Sequence, residues 1–410
     1  MTLRELGLAF HPPSPGSVSI LVGPNGSGKS SFMRTLADHH RDGRNIVIVC
    51  NTPHDRFSGL RGVRRISVGK AADSPKAVVK RAVAQSLAGT GVKFYHLISI
   101  LEYCGYRSRL GFSIQPGPSY GESLDELRSQ AWRALEDEGG EASPSVASAL
   151  GTQQSHDFDL ESALAFLQRH KPSERVWIDA SEDVLGFSRS REFASVLKLE
   201  SELRSLKVLR GIHVYLERFD DQTIEIQHAS SGQLALISSL LFMIVSAEED
   251  PIIIIDEPEN SLHPNWQREY VDKVLTALNY RNATVIVATH APLIVTGALA
   301  TSADLVSLFE VREGTPRLLS IDGDGDSVSS IEEVLWRAFE VVTPANHFVS
   351  EQLVDEVSRF EKGQVSKGSV LSLIKNMEKE SFDDRQQGFF RAVRVLLDKV
   401  EVAKAGLDNA

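Results

Sequence analysis

Eight residues, Gly23-Pro24-Asn25-Gly26-Ser27-Gly28-Lys29-Ser30, constrain this chain more than any other stretch. They follow the apolar run Val18 to Val22 and precede Ser31-Phe32-Met33-Arg34-Thr35-Leu36, so a G-x-x-x-x-G-K-[ST] pattern lies between a strand and a helix. In that context the pattern reads as a phosphate-binding loop. Gly23, Gly26 and Gly28 allow backbone angles that a side chain would penalise, and those angles turn N–H groups toward phosphate oxygens. Lys29 adds a point charge, the Ser30 hydroxyl is placed to ligate Mg²⁺, and the positive end of the following helix adds to the attraction. Asn25, Gly26, Ser27, Gly28, Lys29, Ser30 and Ser31 are therefore the candidate nucleotide contacts, with ATP and Mg²⁺ as the expected ligands.

A chain of 410 residues exceeds most single domains, so one large domain with an insertion, or two to three domains, is expected. The net charge of −11 argues against a surface coated in basic residues for nucleic acid, though not against a local patch. Two cysteines, Cys50 and Cys104, suit a reducing compartment and inert buried thiols. The first residues lack the pattern of a signal peptide. The longest apolar run, Leu234 to Val245, is interrupted by Ser238 and Ser239 and is too short to span a bilayer. A cytoplasmic protein with no membrane partner is expected.

Along the chain, Leu3 to Phe10 and Ile46 to Cys50 read as strands, and Ser31 to His40 as the helix between them and behind the loop. This start implies a parallel sheet. Helical spacing covers Ser74 to Tyr103, divided by Gly89 and Gly91, then Ser123 to Asp137, Leu160 to Arg169 and Ser190 to Leu206. Short strands are expected at Leu110 to Ile114 and Arg175 to Ile178. Gly139 to His156, poor in large apolar residues, is the candidate mobile loop. Ile212 to Glu217 and Thr223 to Gln227 alternate about Asp220-Asp221 as a hairpin, leading to Ser230-Ser231-Gly232-Gln233 and the apolar helix after it. Buried strands follow at Pro251 to Ile255 and Thr284 to Ala288, with the helix Trp266 to Leu278 between them. Strand-like stretches near Ser307 to Glu310 and Arg317 to Ile321 precede a helical C-terminal part.

Three further constellations carry chemistry. The strand Ile252 to Ile255 presents Asp256 and Glu257 at its C-terminal end, where open α/β sheets gather ligands. Asp256 is placed to hold Mg²⁺ opposite Ser30, and Glu257 to orient and deprotonate an attacking water. His290 closes another apolar strand, within reach of a γ-phosphate or that water. Ser230-Ser231-Gly232-Gln233 opens a helix and suits either an anion or a simple N-cap.

The ordered set GPNGSGKS, SSGQ at a helix start, IIIIDEPENSLHP and VATH resembles the ATPase heads of the ABC superfamily. SSGQ stands where that family has its signature motif. The Leu-His-Pro turn after DEPE resembles the soluble prokaryotic branch containing the overcoming-lysogenization-defect (OLD) ATPases and the ATPase subunits of retron and Septu-like anti-phage systems. Transporters normally carry an Asp where His263 stands. The resemblance implies an α/β fold: an ABC-type P-loop NTPase head with a mostly parallel central sheet, an antiparallel β lobe, an inserted helical lobe and a helical C-terminal segment. It also implies that two heads sandwich two ATP molecules, with Ser230, Ser231, Gly232 and Gln233 completing the partner's site, Glu257 as base and His290 as switch histidine. For the glutamine that usually senses the γ-phosphate, Asn51 and Gln115 are both open. Phe10 is a candidate either for stacking on adenine or for a core position.

These readings divide the chain into a head at residues 1–69 and 210–345, an inserted, mainly helical lobe at 70–209, and a helical segment at 346–410. Asp322-Gly323-Asp324-Gly325-Asp326 with Glu333 imitates a calcium loop, but Ser327 replaces the turn glycine, so an acidic turn before the helix Ser330 to Phe339 is expected, and no nuclease activity is assigned. Arg56, Arg61, Arg64, Arg65 and Lys70 form either a nucleic-acid contact or a solvated loop. The expected function is an ATP-driven switch that dimerises on ATP and controls a separate effector, such as a nuclease or toxin, in anti-phage defence. A DNA-repair or DNA-transaction ATPase that binds nucleic acid directly is the alternative.

Overall fold

Strands that are apolar at every position need cover on both faces, and in the computed structural model they form the middle of one sheet. The structure describes residues 17–52, 55–67, 74–89, 94–129, 154–179, 187–260, 262–278, 282–319, 347–379 and 384–407. The first sheet has seven strands in the order β11-β10-β1-β9-β8-β2-β3. They are β1 (Ser17–Val22), β2 (Ile46–Cys50), β3 (Arg64–Ser67), β8 (Ile252–Asp256), β9 (Thr284–Ala288), β10 (Val306–Arg312) and β11 (Thr315–Leu318). Every pairing is parallel except that of β10 with the edge strand β11.

The second sheet is antiparallel, in the order β5-β4-β6-β7: β4 (Tyr106–Pro116), β5 (Val176–Asp179), β6 (Leu209–Arg218) and β7 (Thr223–Glu225). The strand expected at Leu110 to Ile114 is thus eleven residues long. Arg107 and Arg109, which precede the expected span, are both held by β6. Arg107 donates to the Arg218 carbonyl, and Arg109 pairs with the buried Glu217. The hairpin about Asp220-Asp221 is present, with Asp221 at φ 64° in the turn.

Helices cover the faces: α1 (Lys29–His40), α2 (Pro75–Leu87), α3 (Phe94–Tyr103), α4 (Gln154–Arg169), α5 (Phe187–Lys198), α6 (Glu200–Ser205), α7 (Ser231–Ser246), α8 (Pro264–Ala277) and α9 (Pro292–Ser302). The single helix expected over Ser190 to Leu206 is broken at Leu199 into α5 and α6. The break lets the Glu200 carboxylate accept from the Ile212 N–H at the start of β6 and pair with Lys80 of α2. Helix α7 is apolar around its whole circumference because every residue from Leu236 to Ser246 is buried. One continuous core unites it with one face of the parallel sheet, with α2, α3 and α8, and with the antiparallel sheet. A second cluster, built on α1, Ile48, Ile254 and Ile286, covers the other face.

Close backbone approach fixes Gly297 in α9, where a Cβ would lie 1.9 Å from the Arg268 carbonyl oxygen of α8. The last three helices, α10 (His347–Glu361), α11 (Lys367–Lys379) and α12 (Asp384–Leu407), pack around their own core of Leu353, Ile374, Met377 and Leu397. Lys367 ties α11 to α12 through Asp398 at 2.7 Å and Glu401 at 2.6 Å. Among the described residues no helix is long and apolar enough to cross a membrane. The expected first strand with Phe10, the loop at 139–153, Lys70 and the acidic turn at Asp322 with its following helix lie outside the described residues, whereas 154–156 open α4.

Candidate functional site

Four adjacent strands, β1, β9, β8 and β2, point their C-terminal ends the same way and place the motifs side by side. The phosphate loop leaves β1, Thr289-His290 leaves β9, Asp256-Glu257 ends β8, and Asn51 follows β2. This crevice is where a parallel sheet binds its ligand.

The loop is held open by glycine geometry. Gly28 caps α1 in the left-handed region at φ 98°, and a Cβ there would meet the Gly314 Cα at 2.7 Å. Gly23, at φ 145°, would drive a Cβ to 2.7 Å from the Val311 carbonyl oxygen. The turn between β10 and β11 therefore lies against the loop, and the Gly314 N–H donates to the Ser27 carbonyl at 2.7 Å. Asn25 and Gly26 stand exposed at the tip, as does Ser31 in the first turn of α1, while Ser27 is buried with its hydroxyl unpartnered. Lys29 folds back to donate to the carbonyls of Gly23 (2.8 Å) and Pro24 (3.2 Å). Burial lowers its pKa, opposed by the nearby carboxylates of Glu257, Asp256 and Glu259.

Across 226 residues of sequence, the Ser30 hydroxyl donates to Asp256 Oδ1 at 3.1 Å. Asp256 is only 2% exposed, and burial pushes its carboxyl up to about 6, against the Ser30 hydrogen bond and the Lys29 charge. Glu257 is held at φ 50°, a conformation rare outside glycine. Its N–H donates to the Ala288 carbonyl (2.9 Å), and its carboxylate accepts from Asn260 Nδ2 (3.1 Å). The Asn260 amide also reaches the Asn51 carbonyl at 3.3 Å. His290 Nε2 lies 3.6 Å from Glu257 Oε1, and burial, followed by the Lys29 charge, lowers the histidine's pKa, favouring the neutral ring.

These residues fit a nucleotide and a divalent cation. Among the described residues no three His, Cys, Asp or Glu side chains converge on a metal. A cation here would take Ser30 and Asp256, whose side chains meet at 3.1 Å, as protein ligands. That is the small ligand set Mg²⁺ uses when phosphate oxygens and water supply the rest.

The raised Asp256 pKa has a consequence for stability. The folded state holds its proton more tightly than the unfolded chain, so stability falls as pH rises from about 4 to about 6, and the cost is complete above that window. A rise from 3.8 to about 6 corresponds to about 3 kcal/mol. Asp256→Asn is expected to raise the Tm of the nucleotide-free protein by several degrees at pH 7 and to leave it unchanged at pH 4. An equal or lower Tm at pH 7 would contradict this account.

Of the residues singled out from sequence, Lys29, Ser30, Asp256, Glu257 and His290 meet in this crevice. The four of SSGQ do not. Ser230 caps α7 in a reciprocal box, its hydroxyl accepting from Gln233 N–H while Gln233 Oε1 accepts from the Ser230 N–H. The Gln233 side chain also accepts from Tyr106 Oη (2.8 Å) and donates to the Cys104 carbonyl (2.9 Å), while Ser230 and Ser231 are exposed. Asn51 sits in the crevice, whereas Gln115 lies in β4 of the antiparallel sheet. Cys50 and Cys104 are buried, and burial raises both thiol pKa values, Cys104 to about 12. Sequence reasoning missed Glu259, which accepts from Thr289 Oγ1 (2.9 Å) and the His290 N–H (2.5 Å). Its place in DEPE marked it as a neighbour of the acids, but nothing in the pattern showed which way its carboxylate turns.

Fold and site together define a P-loop nucleotide-binding arrangement: a mostly parallel sheet whose strand ends carry the phosphate loop and the Ser30–Asp256 pair. Residues 124–296 match the family model described as "AAA domain, putative AbiEii toxin, Type IV TA system", a stretch that begins after the phosphate loop and takes in SSGQ, DEPE and His290. No curated protein matches the chain. Solved structures similar in fold include MJ1267, an ATP-binding cassette of an ABC transporter, in its ADP conformation: 14% identity, 79% of this chain and 86% of that one covered, TM-score 0.29. Another is the Smc head domain with an extended coiled coil bound to the C-terminal domain of ScpA, from Pyrococcus furiosus: 13% identity, 76% and 91% covered, TM-score 0.29. At this distance the likenesses say nothing of what this chain does.

Proposed function

We propose that this chain is a Mg²⁺-dependent ATPase that pairs head to head when it binds ATP and uses that closure to hold or release a separate effector protein. The observation that carries the reading is the meeting of Lys29, the Ser30–Asp256 pair, Glu257 and His290 at four adjacent strand ends. Lys29 exchanges its two backbone carbonyls for the β- and γ-phosphates. Bound Mg²⁺ supplies charge neutralisation on the phosphates. Glu257, fixed by Asn260, orients the attacking water and takes its proton, and neutral His290 donates a hydrogen bond to the γ-phosphate side. The exposed Ser230 and Ser231 at the start of α7 face a second copy, whose nucleotide they complete. Defence against phage, in the manner of the OLD-like branch, is the proposed context. The matched family's description, which names a toxin of a type IV toxin–antitoxin system, supports an effector-linked role.

The basic cluster gives less support to direct DNA binding than its sequence suggested. Arg64 pairs with Glu248 at 2.7 Å and Arg65 with Asp55 at 3.3 Å, which leaves Arg56 and Arg61 as its exposed described members outside these pairs. Sedimentation velocity with Mg²⁺-ATP is expected to show a dimer absent with ADP, and duplex DNA is expected to leave the ATPase rate unchanged. A monomer under all nucleotides would overturn the switch. DNA stimulation that disappears in Arg61→Glu with Arg64→Glu would replace it with the DNA-transaction reading.

A further inference from the structure

We propose that Glu259 is a positioning residue for His290: its carboxylate clamps the turn that leaves β9 and so sets where the imidazole stands relative to Glu257. The catalytic consequence rests on the ATPase reading; the clamp itself does not.

Glu259 lies three residues beyond Asp256, past Pro258, where the chain turns back over the strand ends. One carboxylate oxygen accepts from Thr289 Oγ1 at 2.9 Å and the other from the His290 N–H at 2.5 Å. Thr289 passes the restraint on, its hydroxyl accepting from the Ala291 N–H at 2.9 Å, while its own N–H donates to the Leu21 carbonyl of β1 at 3.1 Å. The backbone of His290 is therefore held at its amide from β8's side of the crevice, and the preceding residue is held from β1's side. The distance between His290 Nε2 and Glu257 Oε1, 3.6 Å, is just beyond hydrogen-bond range, so a few tenths of an ångström decide whether the two side chains engage each other or a ligand between them.

A carboxylate serves both donors at this position. Two donors, an N–H and an O–H, need acceptors at once, and an ionised carboxylate is acceptor only, with two oxygens. A glutamine could keep the His290 N–H on its one carbonyl oxygen and turn its NH₂ to the Thr289 hydroxyl, which accepts as well as donates, so it is the conservative variant, whereas alanine removes both acceptors. Asn260, the next residue, steadies Glu257 through its own side chain, so two successive residues each hold one of the groups assigned to the water.

The test pairs two measurements on Glu259→Ala, with Glu259→Gln as the conservative variant expected to change either less: hydrogen exchange at the His290 amide by NMR in nucleotide-free protein, and steady-state ATPase kinetics with separately measured ATP affinity. Exchange is expected to accelerate about tenfold or more as the clamp loosens. The kcat is expected to fall about tenfold, with ATP affinity nearly unchanged, the split expected when only transition-state geometry is lost. Thr289→Ser, which keeps the hydroxyl, should behave as wild type. Unchanged exchange, or a change in exchange with unaltered kcat, overturns the proposal. If the wild type hydrolyses no ATP, the ATPase reading fails, and the exchange result alone decides whether Glu259 holds His290.

Discussion

Glu257→Gln is expected to reduce ATP hydrolysis by about 10²–10⁴-fold, the usual contribution of a positioned general base, while ATP still binds. The substitution keeps the side chain's size and its contact with Asn260 but removes its ability to take a proton. Because Glu257 already occupies a left-handed backbone position at φ 50°, glutamine in the same place adds no new strain. The variant should therefore accumulate with ATP bound, and in the proposed mechanism it should persist as a dimer visible by sedimentation or light scattering. Equal hydrolysis by variant and wild type would remove Glu257 from its role. Lost hydrolysis without a dimer would spare the role and sink the sandwich.

The second large effect concerns a residue that touches nothing in its own crevice. Ser230→Arg places a long cation at the exposed start of α7, and the proposed partner's nucleotide lies there. Hydrolysis is expected to drop about 10²-fold or more, as when a donor to transition-state charge is lost, with ATP binding to the isolated protomer largely intact. Ser230 also caps its helix, so the change forfeits about 1 kcal/mol of stability as well. Ser231→Arg separates the two effects: Ser231 is exposed in the first turn and is not the capping residue, so it should block the dimer without the loss of stability. Normal hydrolysis by both variants would show that each crevice works alone.

Much of this arrangement was legible in the chain because it depends on local rules. Fully apolar strands of about five residues, each followed by a glycine turn, a pair of acids or a histidine, leave little freedom in where they go: parallel packing puts their ends in one row. The hairpin at Asp220-Asp221 and the division of α2 from α3 near Gly89 followed from turn chemistry in the same way. What escaped were features set by partners distant in sequence. The extension of β4 before Leu110 is held by Glu217 and Arg218 on β6, about a hundred residues later, which bind Arg109 and Arg107. The break at Leu199 is decided by Lys80 and Ile212. Glu259 was invisible as a clamp because its direction depends on the register that sets Asp256 beside Ala288. Arg64 could be read as part of an open basic patch because its partner Glu248 lies 184 residues later in the chain, whereas Asp55, the partner of Arg65, stands at the edge of the cluster itself.

The hydrogen bonds that join Gln233 to Tyr106, which donates, and to the Cys104 carbonyl, which accepts, have a consequence for how such a chain can be rebuilt. Residues 104–106 lie between the phosphate loop and SSGQ in sequence, yet they hold the side chain that closes the cap of α7. The α3–β4 corner is thus not a cassette that can be exchanged at will. A chimera that brings in a foreign α3–β4 corner must bring a matching start for α7 with it, or the exposed serines lose the frame that presents them.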